Sequence, residues 1–183
     1  MSFVGGVGYS NIDLIYSGLD RLPDKGEEIF ARGFSMQFGG GIPATMINLS
    51  RLGVESRIIT FAGHDLFSEF VKKTLNSYPV KTVNLYKGNK MPVVLSSTLL
   101  YCGDRSFISY TDGMDLNDAV MDEVYENLKG AYVVDMHVGF LDVYKRLKKD
   151  GCIQIFDTGW EDDLTLEKYK DYLEIADYYI PNQ

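Results

Sequence analysis

Short apolar runs alternate with amphipathic stretches of helical period along most of this chain, and that alternation admits few folds. A strand that returns through a helix lies parallel to its predecessor, so repeated units build a parallel sheet with helices on its faces. Residues 2–9 read as an apolar, glycine-rich first strand. Pro43 suits the first residue of a helix whose Met46, Ile47, Ser50 and Leu52 share one face, with Gly53 as its stop. Residues 56–61 (SRIITF) read as a buried strand, and Asp65 is placed to cap a helix carrying Phe67, Phe70, Val71, Leu75 and Tyr78 at helical spacing. The units then recur as helix 118–128, strand 131–136, helix 140–149, strand 152–156, helix 164–175 and a last strand at 178–180. The 183 residues suffice for one sizeable α/β domain.

The middle of the chain breaks this pattern. Residues 27–38 (EEIFARGFSMQF) alternate loosely, as a half-exposed strand does, and 92–101 and 106–111 flank a Cys102-Gly103-Asp104-Arg105 turn, a hairpin signal. These strands carry no wrapping helices and are expected to form a small separate antiparallel sheet. The strand at Tyr178-Tyr179-Ile180 is followed only by Pro181, Asn182 and Gln183. A parallel strand normally has both faces covered, so the sequence is expected to be cut before a crossover helix, leaving apolar surface bare.

Sheets of this kind bind ligands at the carboxyl ends of their strands. That rule singles out Gly63-His64-Asp65, His137, Asp157-Thr158 and Asn182-Gln183. Near the start, Gly6-Val7-Gly8-Tyr9-Ser10-Asn11 imitates a dinucleotide fingerprint, but Asn11 holds the third glycine position and β-branched residues, two glycines and Pro23 follow where a helix is needed. The segment reads better as a strand, a turn and two exposed polar side chains, Asn11 and Asp13. A carboxylate that accepts and an amide that both accepts and donates suit vicinal hydroxyls. The competing structural reading is a turn held by bonds from these side chains to the backbone. Phe38-Gly39-Gly40-Gly41 leads into the Pro43 helix, and three glycines let a ligand approach the backbone at a helix start. Such a turn is more often structural, and with no Gly-Lys-Ser/Thr anywhere it is not a P-loop. His64 and His137 stand far apart without companions at metal spacing, so no metal site is assigned. The acidic clusters within 20–28 and at Asp162-Asp163 read as solvated faces.

Composition narrows the function classes. With 45% hydrophobic residues, a core forms without staples, and Cys102 and Cys152, lacking zinc or CxxC spacing, read as buried thiols of a reducing compartment. The start MSFVGGVGYS lacks a basic n-region, and no run approaches the ~20 apolar residues of a membrane span. The net charge of −8 argues against nucleic acid as a partner. A cytoplasmic protein without nucleic-acid or membrane partners is expected.

Taken in order, these pieces resemble the PfkB family, which includes ribokinase, adenosine kinase and ketodeoxygluconate kinase. The residues that carry the resemblance are Asn11-x-Asp13, Pro23-x-x-Gly26-Glu27, the block from Gly39-Gly40-Gly41 to Arg51-Leu52-Gly53, Ala62 through Phe70, the Gly103–Phe107 hairpin tip, Asp157 and Ile180-Pro181-Asn182, spread over essentially all 183 residues. The resemblance implies a ribokinase-like three-layer α/β core with a mainly parallel sheet (about 1–26, 39–91 and 112–183) and a small antiparallel β lid (about 27–38 and 92–111). It implies an ATP- and Mg2+-dependent transfer of the γ-phosphate to a sugar hydroxyl, with Asn11, Asp13, Gly39, Gly40 and Gly41 at the sugar, Asn182 towards the phosphates, and Asp157 and His137 as further candidates. Separately from the resemblance, the exposed lid face with alternating apolar residues such as Leu99 and Phe107 is expected to seek cover, through a homodimer. The family signature carries an Asn shortly after its glycines, where this chain reads Ile42-Pro43-Ala44-Thr45. The family's catalytic aspartate, its anion hole and its nucleotide pocket are expected beyond Gln183, so the carboxyl-terminal part of the fold is expected to be missing and this chain alone to be inactive. A non-catalytic sugar- or partner-binding module of the same fold and an unrelated nucleotide-binding α/β domain are the competing readings.

Overall fold

The computed structural model describes residues 2–159 and 164–181, so Asp162, Asp163, Asn182 and Gln183 lie outside the described residues. Ten strands and five helices follow in the order β1 (Phe3–Val7), β2 (Asn11–Leu19), β3 (Gly33–Gly39), α1 (Gly41–Arg51), β4 (Ser56–Thr60), α2 (Leu66–Asn76), β5 (Lys81–Asn84), β6 (Val94–Tyr101), β7 (Asp104–Tyr110), α3 (Asp118–Leu128), β8 (Ala131–Met136), α4 (Leu141–Lys149), β9 (Ile153–Phe156), α5 (Leu166–Ile175) and β10 (Tyr178–Tyr179). Six of the strands form a parallel sheet in the order β10-β9-β8-β1-β4-β5.

The core lies on both faces of this sheet, and β1 shows why. Phe3 and Val7 pack with Leu128, Val134, Phe140 and Tyr144 on the α3–α5 side, while Val4 packs with Ile42, Met46 and Ile58 on the α1–α2 side. Between them, a Cβ on Gly5 would stand 2.7 Å from Leu128, and one on Gly6 would stand 2.6 Å from Ile42. The helices therefore approach the strand to a distance that only glycine allows. Pro43 is the third residue of α1 rather than the first, behind Gly40 at the cap position. It is tolerated there because N–H groups of the first turn have no acceptor within the helix. Asp65 caps α2, accepting from the Phe67 and Ser68 N–H groups at 3.0 Å each.

The second sheet has the order β3-β2-β6-β7, and it departs from expectation in two ways. It takes in Asn11–Leu19, which the expected division left with the core segment 1–26, and its lower strand is Gly33–Gly39 rather than 27–38. It is also mixed rather than antiparallel, because β2 runs parallel to β6 while β3 and β7 run antiparallel to their neighbours. A β2–β6 pair joins segments separated by several core elements, so no local pattern announces it. The β6–β7 turn is the hairpin signal in its tightest form, with Cys102 (φ 49°) and Gly103 (φ 79°) both left-handed. That is the geometry a two-residue hairpin turn requires. It also leaves Cys102 exposed, a correction to the buried-thiol reading, whereas Cys152 is buried. Among the described residues no helix is long and apolar enough to cross a membrane.

Candidate functional site

The chain passes from one sheet to the other at Ser10, and that crossing builds the site. The Ser10 and Thr60 hydroxyls are 2.9 Å apart and buried, and the Ser10 carbonyl accepts from Val94 N–H at 3.0 Å, tying β1, β4 and β6 together. Asn11 opens β2 immediately after, opposite Gly39 and Val94. Residues directly opposite one another share a sheet face, and alternate residues return to it. One face of the second sheet therefore carries Asn11, Asp13, Gln37, Ser96 and Ser109; the other carries Leu14, Tyr16, Phe34, Met36, Leu99 and Ile108.

Asp13 lies against Gly39, where an added Cβ would come within 2.8 Å of its Oδ2. Burial raises its pKa above the ordinary carboxylate value. Among the described residues neither Asn11 nor Asp13 makes the side-chain hydrogen bonds that a turn-stabilising role requires; both belong to a strand. Gly40 takes φ 105° and has Tyr9 and Pro43 packed against it, so conformation and space both demand glycine. Gly41 differs: a Cβ there would meet nothing within 4 Å, and the open space belongs to a cleft.

That cleft, of about 690 Å³, brings together Asn11, Gly41, His137 and Asp157 from the residues selected in the sequence. Asp13, Gly39 and Gly40 adjoin it through the pairing of β2 with β3. Asn182 lies outside the described residues. Two residues unforeseen in the sequence, Thr45 and Asp135, complete the wall. An acid in the otherwise apolar AYVVDM strand was the available signal for Asp135. Burial pushes the Asp135 carboxyl up to about 6, a hydrogen bond from Thr45 opposes the rise, and the nearby Asp157 charge adds to it.

His137 is fixed from several sides. Its N–H donates to Tyr144 Oη at 2.8 Å, and Gly139 N–H donates to Tyr172 Oη at 2.8 Å. The ring stands edge-on to Tyr9 and Phe140. Its Nδ1 lies 2.7 Å from the Val138 carbonyl oxygen, which can only accept, so Nδ1 carries the proton and Nε2 a lone pair. Burial holds its pKa below the ordinary value, so the imidazole is neutral at pH 7. His64 is exposed outside this cleft, and Asp65 is spent on its helix cap. A larger hollow of about 880 Å³ lies between the 85–90 and 112–123 segments. Its Lys87 and Glu123 pair with each other, and it holds none of the sequence-selected residues, so the smaller cleft is the candidate.

Comparisons with known proteins bear on the family and the fold. The family model described as pfkB family carbohydrate kinase matches residues 1–183. An uncharacterized sugar kinase of Pyrococcus horikoshii is 35% identical over 92 residues, which is 48% of this chain and 30% of that protein. Ribokinase from Thermotoga maritima superimposes with a TM-score of 0.79 at 18% identity, over 100% of this chain and 60% of that one. Ribokinase from Arabidopsis thaliana, solved with ribose and ATP, gives 0.76 at 22% identity, over 100% of this chain and 61% of that one. This chain thus shares their fold and spans about three fifths of the length of these solved structures.

Proposed function

Because the chain belongs to the pfkB family of carbohydrate kinases, we propose that its cleft is the sugar-binding part of an ATP-dependent kinase that transfers the γ-phosphate to a sugar hydroxyl. The observation that carries this reading is the convergence at the sheet crossing. The polar face of the second sheet, the glycine start of α1 and the strand-end groups His137 and Asp157 meet around one cavity, and no Lys or Arg is among the described residues that line it. Such a wall offers acceptors, and sugar hydroxyls are donors. Asn11, Asp13 and Gly39–Gly41 hold the sugar, and His137 and Asp157 bound its far side; a role for Asn182 at the phosphates is proposed from the family resemblance alone, since that residue lies outside the described ones. The second sheet acts as the lid, and its apolar face pairs with that of a second copy.

Phosphoryl transfer works by positioning and by neutralising charge on the transferred group, with a base for the attacking hydroxyl and donors for the phosphate oxygens. Mg2+ bound with ATP would supply part of that neutralisation. Among the described residues no three His, Cys, Asp or Glu side chains gather as metal ligands, so these residues do not fit the ion. What they do is bind and orient the sugar. On this reading residues 1–183 by themselves bind a sugar without turning it over, which an assay of ATP-dependent sugar phosphorylation by the purified chain tests.

Asp13→Ala tests the reading by calorimetry over a panel of pentoses and hexoses. Loss of a charged acceptor should weaken the preferred sugar by about 1.5–3 kcal/mol and leave the melting temperature nearly unchanged. Unchanged affinity with a large fall in melting temperature would assign Asp13 to structure and count against a sugar site.

A further inference from the structure

Asp135 is the one acid of the cleft wall that the family resemblance did not select, and Thr45 is the one protein donor recorded for its part-buried carboxylate among the described residues. It lies on β8 opposite Gly6 of β1 and Ile155 of β9, beneath the start of α1. Gly6 contributes no side chain, so the space beside the carboxylate is bounded by Ile42 and Thr45 of α1 rather than by a strand neighbour. An ionised carboxylate accepts about four hydrogen bonds. The donor offered to it is Thr45, whose one hydroxyl proton is also claimed by the Gly41 carbonyl at 3.1 Å. No Lys or Arg is among the described residues lining the cleft. The titratable groups that line it with Asp135 are Asp157 after β9, His137 after β8 and Tyr169 of α5, while α1 and β2 contribute Thr45 and Asn11. The first is a like charge and the second a neutral imidazole. Buried acceptors left in this condition are costly unless a ligand donates to them.

We propose that Asp135 is a specificity-determining residue of the cleft: with Thr45 beside it, its carboxylate accepts from one hydroxyl of the bound sugar and rejects sugars lacking a hydroxyl at that position. This rests on the sugar-kinase reading above and adds to it the residue that ranks sugars. Discrimination of this kind is strong because the analogue without the hydroxyl leaves the buried acceptor unpaired. The carboxyl's elevated titration range fits a group that gains its donor only when the ligand arrives.

The test is equilibrium binding of the full 183-residue chain to a panel of sugars and their monodeoxy derivatives, using wild type, Asp135→Asn, Thr45→Val and Asp13→Ala. One monodeoxy derivative should bind wild type at least tenfold more weakly than its parent, and Asp135→Asn, which keeps only a neutral acceptor oxygen, should shrink that difference. Wild-type affinity should fall as pH drops through about 6 while the affinity of Asp135→Asn stays flat across the same range. Thr45→Val, which deletes no charge, should move the midpoint of that pH profile upward, because the ionised form loses a donor. The inference is overturned on its own if Asp13→Ala abolishes binding while Asp135→Asn and Thr45→Val keep the wild-type sugar ranking and pH profile. Absence of sugar binding by wild type overturns it together with the sugar-kinase reading.

Discussion

Tyr144 and Tyr172 hold from behind the backbone that presents His137 to the cleft. Tyr144 is fully buried, and burial pushes its phenol well above the usual range, so it stays protonated at every working pH. Its oxygen is the acceptor for the His137 N–H, and nothing else in the strand-to-helix turn replaces it. Tyr144→Phe should therefore cost about 1–3 kcal/mol, the price of a buried donor left unpaired, measured by urea denaturation. Sugar affinity should fall with it, and an unchanged affinity would separate the turn from the site. Asp135 predicts an effect of opposite sign on stability. Its folded carboxyl titrates near 6, above the roughly 3.9 of an unfolded aspartate, so ionisation disfavours the native state. The penalty is absent below about pH 4 and grows as pH rises through 6. Asp135→Asn should then be more stable than wild type at pH 7.5, by on the order of 2 kcal/mol, and indistinguishable at pH 4. Equal stability at both pH values would mean that the carboxylate is solvated in the native state.

At the scale of elements, the contact between β1 and α1 sets the cleft's width. Gly6→Ala would drive a methyl to 2.6 Å from the Ile42 side chain, buried on the first turn of α1, so that side chain or the helix carrying it must move. Overpacking of this kind costs about 1–3 kcal/mol. Because α1 carries Gly41 and Thr45, sugar affinity should drop as well; Gly41→Ala, with open space around it, should lower affinity alone. Denaturation and calorimetry on both variants check this, and a destabilised Gly41→Ala would refute the assignment of its space to a ligand. The same elements show what the sequence made legible. Core strands with helices on their faces, the Asp65 cap and the 102–103 turn are local devices, each written within a few residues. Ile12, Leu14 and Tyr16 alternate with Asn11, Asp13 and Ile15, but the pairing of β2 was not legible because its partner β6 enters some eighty positions later. In the site, Asn11, Gly41, His137 and Asp157 were reachable from strand-end logic and resemblance. Asp135 offered only the signal of an acid in an apolar strand, and the packing of α1 over β8 is what makes it part of a wall.

For the whole molecule, the second sheet poses a problem that its own chain does not solve. Its polar face turns the Asn11–Asp13 edge to the cleft, but Phe34, Ile108 and Tyr110 on the opposite side remain 62%, 70% and 58% exposed. Tyr16 and Phe34 pack against each other at a tilt on that face with ring centroids 5.3 Å apart, so the apolar residues there are contiguous rather than scattered. Contiguous apolar surface of this sort marks an interface. A second copy of the chain is the proposed cover, because a two-fold contact joins identical faces and so satisfies both at once. The chain's charge of −8 opposes association weakly at physiological salt, where surface charges are screened beyond ~8 Å. Sedimentation of the wild-type chain should thus give a dimer, and Ile108→Asp should give a monomer, since a carboxylate buried in that contact would lack a partner. Sugar affinity of the Ile108→Asp monomer should persist, because Ile108 lies on the face opposite Asn11 and Asp13. A wild-type monomer at tens of micromolar would exclude the interface, and a dimer that survives Ile108→Asp would move it away from this sheet.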